Sequence, residues 1–390
     1  MMKRNLILVL IISIILFALP FSACAETKTG TCGTNLTWTL TDAGLLTVVG
    51  TGAMNDYSED IENTAPWDKT AITEVVISSG VTSVGNYAFQ ACPNLTSVSF
   101  PNTLESIGAY AFDFCANLSA VQFPASLNTI DVYAFSNCSG LTEIVIPENV
   151  TAINEGAFSY CEGLISATVY AQVEVIPYMS FGNCTNLKSL TLPESLRTIA
   201  WSSCMGCYSL DNLILPEGLE TIGDYAFYNS IFLSKVVIPA SVTGIYDSAF
   251  DLPNGRDYLY IYCFSGSAAE DFADNNGYDK VLLDELIVQP TFILPVDTDT
   301  IEANAFENDE RITAVNAENC TYVGTEAFKG CTALKQIRLP KDCTIIDGAF
   351  SGCGKVYVIA PRGGDTSEFC YFDENLVFVD EDLFSRLFPN

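Results

Sequence analysis

Residues 201–207 read WSSCMGC, which sets Cys204 and Cys207 in a C-x-x-C spacing beside Trp201. Two sulfurs that close can exchange a disulfide, and the same spacing is half of a tetrahedral zinc site. The other half needs a second cysteine pair or histidines, and the chain has no histidine at all. That absence also removes the side chain that titrates near neutral pH and serves most often as a general base. Acidic residues cluster at Asp56, Glu59, Asp60 and Glu62, and again at Asp297, Asp299 and Glu302. Calcium favours such oxygens, but DTDTIE has Ile301 and Glu302 where a calcium loop needs a ligand and then glycine, so both clusters read as solvated loops. No metal site, no cofactor and no catalytic set is implied. Whether the C-x-x-C pair does chemistry depends on the elements that carry it.

The bulk properties narrow the partners. Of 390 residues, 49% are hydrophobic and 16% charged, enough for a large core. Acidic residues outnumber basic ones 47 to 17, for a formal charge of -30. Such a surface repels phosphate backbones and anionic lipids, which excludes nucleic acid. The chain opens MMKRNLILVLIISIILFALPFSACAE, with Lys3 and Arg4 before an apolar run from Leu6 to Leu19. This is the pattern of a secretory signal peptide over residues 1–25. Ala23 and Ala25 form an A-x-A cleavage site before Glu26, the favoured reading. Phe21 to Cys24 also resembles a lipobox, which would leave a single lipid anchor at Cys24. No second apolar stretch is long enough for a transmembrane segment. The expected location is secreted or at the cell surface.

A repeat organises the rest. The dipeptide AF places phenylalanine at 89, 112, 135 and 158; Ser180-Phe181 follows, and AF returns at 227 and 250. The step is 23 residues, with one degenerate slot at 204. A second set, Phe306, Phe328 and Phe350, steps by 22. Fixed periods of this size mark a solenoid in which no unit can bury its apolar face alone. Within residues 95–117, L-x-x-V-x-F alternates as a strand does, Pro101 ends it, and IGAYAF suits a short helical or 3-10 turn. The expected fold is a stacked solenoid, an elongated, horseshoe-like curved slab that is mostly parallel β with short helical or 3-10 turns, whose coils stack about 4.8 Å apart.

The pattern L-x-x-[IV]-x-[ILVF]-P-x-x-[LV]-x-x-I-x-x-x-A-F-x-x-C resembles the BspA-like, or Treponema pallidum type, class of bacterial leucine-rich repeats. GTCGTNLTWTLTDAGLLTVVGTGAMNDY at 30–57, with APW at 65–67, is similar to the cap that precedes those repeats. LYIYCFSGSAAEDFADNNGY at 259–278 resembles the segment that closes them. The resemblance implies an exported protein with an interaction surface, for which adhesion is the usual proposal, and no catalytic residues. The layout it supports is a signal peptide at 1–25, a β cap at 26–70, repeats at 71–250, a closing segment at 251–290, a second repeat block at 291–360 and a C-terminal cap at 361–390.

Seen in this frame, the cysteines lose their chemistry. Cys92, Cys115, Cys138, Cys161, Cys184 and Cys207 all follow the repeat phenylalanine, or its equivalent, by three residues. Together with Phe89, Phe112, Phe135, Phe158, Phe181, Phe227 and Phe250 they predict an inward structural ladder. Cys204 falls in the phenylalanine slot and should also point inward, with Trp201 or Met205 filling the lost volume. Cys32, Cys263, Cys320, Cys343 and Cys370 lie off the ladder, and an exported protein can pair such residues. Tyr87, Tyr110, Tyr133 and Tyr225 form a partial edge ladder, read as half-buried packing.

Outward strand positions are largely uncharged, apart from Glu74, Glu143 and Lys235, and much of the acid sits in turns. Gln122, Val145, Thr168, Thr191, Asn212, Ile214 and Val237 form the candidate binding face. The function expected is non-covalent recognition of an extracellular protein or glycan; the alternative is an architectural scaffold of the cell envelope without a specific ligand. Neither is an enzyme.

Overall fold

The computed structural model describes residues 27–252, 259–286, 292–370, 373 and 375–388. The predicted signal peptide and Cys24 lie outside them. The fold is a parallel β-solenoid, and each coil follows from its own sequence. An alternating stretch such as Glu143–Ile146 forms a strand with Ile144 and Ile146 inward, Pro147 follows it, and a two-residue strand, Ala152–Ile153, precedes the AF turn. Strands pair in parallel at the repeat offset: Glu143 faces Ser166, Thr198 faces Thr221, and in the shorter block Ala314 faces Gln336.

The AF stretch closes with 3-10-type bonds, as from Ala111 N to Gly108 O and from Cys115 N to Phe112 O. Two left-handed residues per turn, such as Tyr110 at φ 55° and Phe114 at φ 58°, keep it from extending into regular helix. The tyrosine slot is the first of these two. Rings of Tyr87, Tyr110 and Tyr133 stack at 4.8 and 5.2 Å and are half-buried. The stack stops at Gly156, where a Cβ would lie 2.2 Å from the Tyr133 ring.

Two compact units result. One runs to Leu190 and takes in Ser203–Cys207; the other holds Thr191–Ser202 and the chain from Tyr208 onward. In the first, Lys28–Gly33, Leu36–Leu40 and Leu45–Gly50 form an antiparallel cap whose last strand pairs in parallel with Glu74–Ile77. Trp67 of the cap stacks on Phe89 at 5.1 Å, and its Nε1 donates to Ala88 O at 3.0 Å. Phe112, Phe135, Phe158 and Phe181 continue that stack at 5.1 to 5.7 Å, all fully buried. Truncating one such ring costs about 3–5 kcal/mol.

The second unit has the same inward ladder, with Phe227 stacked on Phe250 at 5.2 Å and Phe306, Phe328 and Phe350 stacked at 5.1 and 5.3 Å. Its outward face differs. Tyr260–Cys263, Asp279–Leu282 and Val356–Ala360 carry apolar residues at consecutive positions, and Val356–Ala360 is buried throughout. Val237, Tyr262 and Val281 pack against Tyr357, Ile359, Val379 and Phe384 in a second core outside the solenoid interior. The helix Glu381–Leu387, capped by Asp380, supplies Leu383 and Phe384.

This corrects the candidate face. Val237 is 5% exposed because the C-terminal strands and helix cover it. Lys235, also an outward position, is buried and paired with the carboxylate of Asp380. Burial pulls the Lys235 ammonium below its ordinary value, and the Asp380 carboxylate opposes that shift. Around this contact Arg362 bonds Asp211 at 2.8 Å and Tyr357 donates to Glu285 at 2.7 Å.

Candidate functional site

The C-x-x-C pair is built into the core. Cys204 and Cys207 are 1% and 0% exposed, and burial pushes the Cys204 thiol well up and the Cys207 thiol up to about 12. Neither supplies a thiolate near neutral pH, and the thiolate is the reactive form. Cys207 instead donates its S–H to Phe181 O at 3.3 Å. The same bond recurs from Cys115 to Phe89 O, Cys138 to Phe112 O, Cys161 to Phe135 O and Cys184 to Phe158 O, at 3.1 to 3.2 Å. Each thiol fills a small inward slot and bonds the carbonyl of the preceding coil. Volume alone suggests a small apolar residue; the recurring donor is what distinguishes cysteine from alanine there.

All described cysteines are free and buried. Among the described residues, no group of three or more His, Cys, Asp or Glu is placed to hold a metal ion. Trp201 does not fill the slot left by Cys204: it is 53% exposed, and Met205 is only half-buried.

The candidate face divides. In the first unit Gln122 and Val145 are exposed and Thr168 is half-buried. In the second, Thr191, Asn212 and Ile214 are exposed, while Val237 is covered as described. The first unit's face has a break. Strands Ser97–Ser99 and Glu143–Ile146 are regular, but between them residues 119–123 form no strand and keep one bridge, Ala120 to Ser97. Phe123 occupies the last inward strand position, where the next coil has Ile146. It turns edge-on to Phe135 at 5.5 Å and lies 6.5 Å from Phe100, more than a strand spacing. The sheet face opens where this strand is missing. The result is a groove of about 510 Å³ lined by Ser119, Gln122, Phe123, Glu143 and Val145. Its outward residues were legible from alternation; the missing strand was not, because LSAVQFP matches the repeat pattern.

Two other features escaped alternation. The apolar runs at 259–263 and 356–360 carry the signal of strands buried on both faces, a pattern distinct from repeat strands with one wet face. No helix among the described residues is long and apolar enough to cross a membrane.

The chain matches the BspA type leucine rich repeat region in six copies, over residues 59–188, 174–273 and 288–375. Among solved structures, it is similar to a T. pallidum leucine rich repeat protein at 28% identity over 46% of this chain and 91% of that one, with a TM-score of 0.36. A leucine-rich repeat protein from Bacteroides ovatus is 19% identical over 89% and 98%, with a TM-score of 0.39. A leucine rich cell surface protein from Faecalibacterium prausnitzii is 20% identical over 88% and 97%, with a TM-score of 0.35. No curated protein matches the chain.

Proposed function

The chain belongs to the BspA-type leucine-rich-repeat family, and on that premise we propose that it is an exported, non-enzymatic recognition protein whose open sheet face binds an extracellular protein or glycan. The observation that carries this reading is the groove at the strand break, where Gln122 and Val145 stand exposed on a face with little charge. A groove with a few polar groups over apolar walls is the usual form of a binding site. The solenoid offers an extended surface for it, the apolar N-terminal run provides export, and the acidic remainder disfavours nucleic acid and anionic membrane. Cleavage before Glu26 gives a secreted form, and acylation of Cys24 a surface-tethered one. The period-based division into a cap at 26–70, repeats at 71–250 and 291–360, and closing segments stands with it as the proposed domain layout.

The test is binding of the full secreted chain to matrix proteins, mucin glycans and bacterial surfaces at two salt concentrations. Saturable binding that Val145→Arg abolishes without unfolding supports the reading. No saturable binding to any of these moves the function to the architectural scaffold, and binding unchanged in Val145→Arg rejects this face.

A further inference from the structure

The WSSCMGC stretch holds a second feature that the sheet face does not use. Of the chain's three tryptophans, Trp38 and Trp67 are buried at 5% and 4%, whereas Trp201 is 53% exposed. The equivalent slot holds Asn86, Ala109, Val132, Glu155, Tyr178, Asp224 and Asp247 in other coils, so it accepts small and acidic residues as well as a ring, and the solenoid needs no indole there. Two coils further on, Tyr246 is 58% exposed in a slot that elsewhere holds Gly85, Gly108, Asp131, Asn154, Ala200 and Gly223. Neither ring is required by the repeat, and each follows a two-residue strand of one sheet, Thr198–Ile199 for Trp201 and Gly244–Ile245 for Tyr246.

Between them lies a cleft of about 460 Å³. Its floor is bare backbone: a Cβ on Gly223 would meet Ala200 C at 2.8 Å and Trp201 N at 2.9 Å, so no side chain fits. Thr198 and Thr221 pair across the parallel strands Thr198–Ile199 and Thr221–Ile222, are half-buried and line the cleft. Asp224 adds a half-buried carboxylate, and its backbone carbonyl accepts from Ser202 N at 3.0 Å, which fixes the turn that carries Trp201. At one strand spacing per coil the two aromatic positions stand about 10 Å apart, room for one sugar ring and its neighbours.

We propose that this cleft binds a neutral hexopyranose glycan. The apolar C–H face of a pyranose ring stacks on the Trp201 indole, where an amphipathic aromatic gives contact area at little entropic cost. Sugar hydroxyls donate to the Asp224 carboxylate and exchange hydrogen bonds with Thr198 and Thr221, while Tyr246 bounds the far end. The charge selects against anionic sugars: Asp224 faces the ligand, and the chain's formal charge of -30 repels sulfated or carboxylated chains. The site is independent of the sheet face, which lies on the longer strands.

Because Trp38 and Trp67 are buried, the part of the tryptophan emission that acrylamide quenches reports on Trp201. Titrating the full chain with laminarihexaose, cellohexaose and mannohexaose should give saturable emission changes, and protection of Trp201 from acrylamide, with at least one of them. A heparin hexasaccharide should give none. By calorimetry, Trp201→Ala and Tyr246→Ala each weaken binding by roughly tenfold or more, and Asp224→Asn weakens it less. Both aromatic residues are exposed, so far-UV circular dichroism should not change. Phe232→Ala, at an exposed ring that lines neither groove, leaves glycan binding intact, and Val145→Arg tests the sheet face separately, which separates failure of this site from failure of the sheet-face reading. No saturable response to any neutral hexasaccharide, tighter binding of the heparin hexasaccharide, or binding indifferent to Trp201→Ala and Asp224→Asn would each overturn the proposal.

Discussion

Val145 and Val237 occupy the same place in their coils, an outward strand position, yet one is 43% exposed and the other 5%. In the first unit the outward row of Gln122, Val145 and Thr168 meets solvent; in the second, Val237 and Lys235 meet the strands Val356–Ala360 and Leu376–Asp380. The repeat sets which way a side chain points, because alternation along a strand is a local property. What covers that side chain is set by segments elsewhere in the chain. An outward position is therefore a binding position only where nothing else folds onto it.

Replacing each valine with arginine tests this comparison most directly. Val237→Arg places an unpaired charge in a buried core beside Lys235, and should destabilise the second unit by about 4 kcal/mol or more. Val145→Arg should stay within about 0.5 kcal/mol. Denaturant unfolding of both variants measures the gap; equal effects would mean that the cover over Val237 is loose.

Next is the ion pair beneath that cover. Asp380→Ala leaves Lys235 buried without its carboxylate and removes the cap of the helix Glu381–Leu387, for a loss of about 3–5 kcal/mol. Hydrogen exchange should quicken in Tyr260–Cys263 and Val356–Ala360 and stay unchanged in Glu143–Ile146. Uniform quickening would count against a contact confined to the second unit.

Alkaline pH should weaken both units, through their thiols. Burial holds the Cys207 thiol up to about 12, and the thiols of Cys263 and Cys370 likewise up to about 12, whereas an unfolded chain releases those protons from about pH 8.5. The folded state binds more protons above that point, so stability is complete below it and is lost as pH rises toward 12. Melting temperatures that stay flat from pH 8 to 11 would contradict the burial of the ladder.

The smallest effect separates donor from volume. Cys138→Ala removes the bond to Phe112 O and a sulfur's worth of packing, and should cost about 1 kcal/mol, with no change in binding. Within the second unit Cys320 behaves differently. The neighbouring Cys343 side chain hydrogen-bonds it and lowers its thiol below the ordinary cysteine value, while Cys343 itself is raised. Under mild denaturant at neutral pH, alkylation mapped by mass spectrometry should reach Cys320 before any ladder cysteine.

Much of this was legible in the residues. Phenylalanine every 23 positions predicts a stack of coils, and the strands pair at that offset because each repeat buries its apolar edge on the next. The same period exposes WSSCMGC as a core substitution rather than a redox pair. Trp201 was misplaced because a large apolar residue beside a small core slot looks like a filler; its backbone leaves it in solvent. The groove beside Gln122 was hidden because LSAVQFP satisfies the repeat pattern although residues 119–123 form no strand.

The sequence by itself determined the period, the coil, the inward Phe and Cys positions and the direction of every strand residue, since these repeat locally and each coil sees only its neighbours. Tertiary structure alone decided which outward surfaces remain open. Lys235 meets Asp380 across 145 residues of chain, and the cleft between Trp201 and Tyr246 exists only once their coils are stacked. Contacts that distant obey no period, so no repeat can announce them.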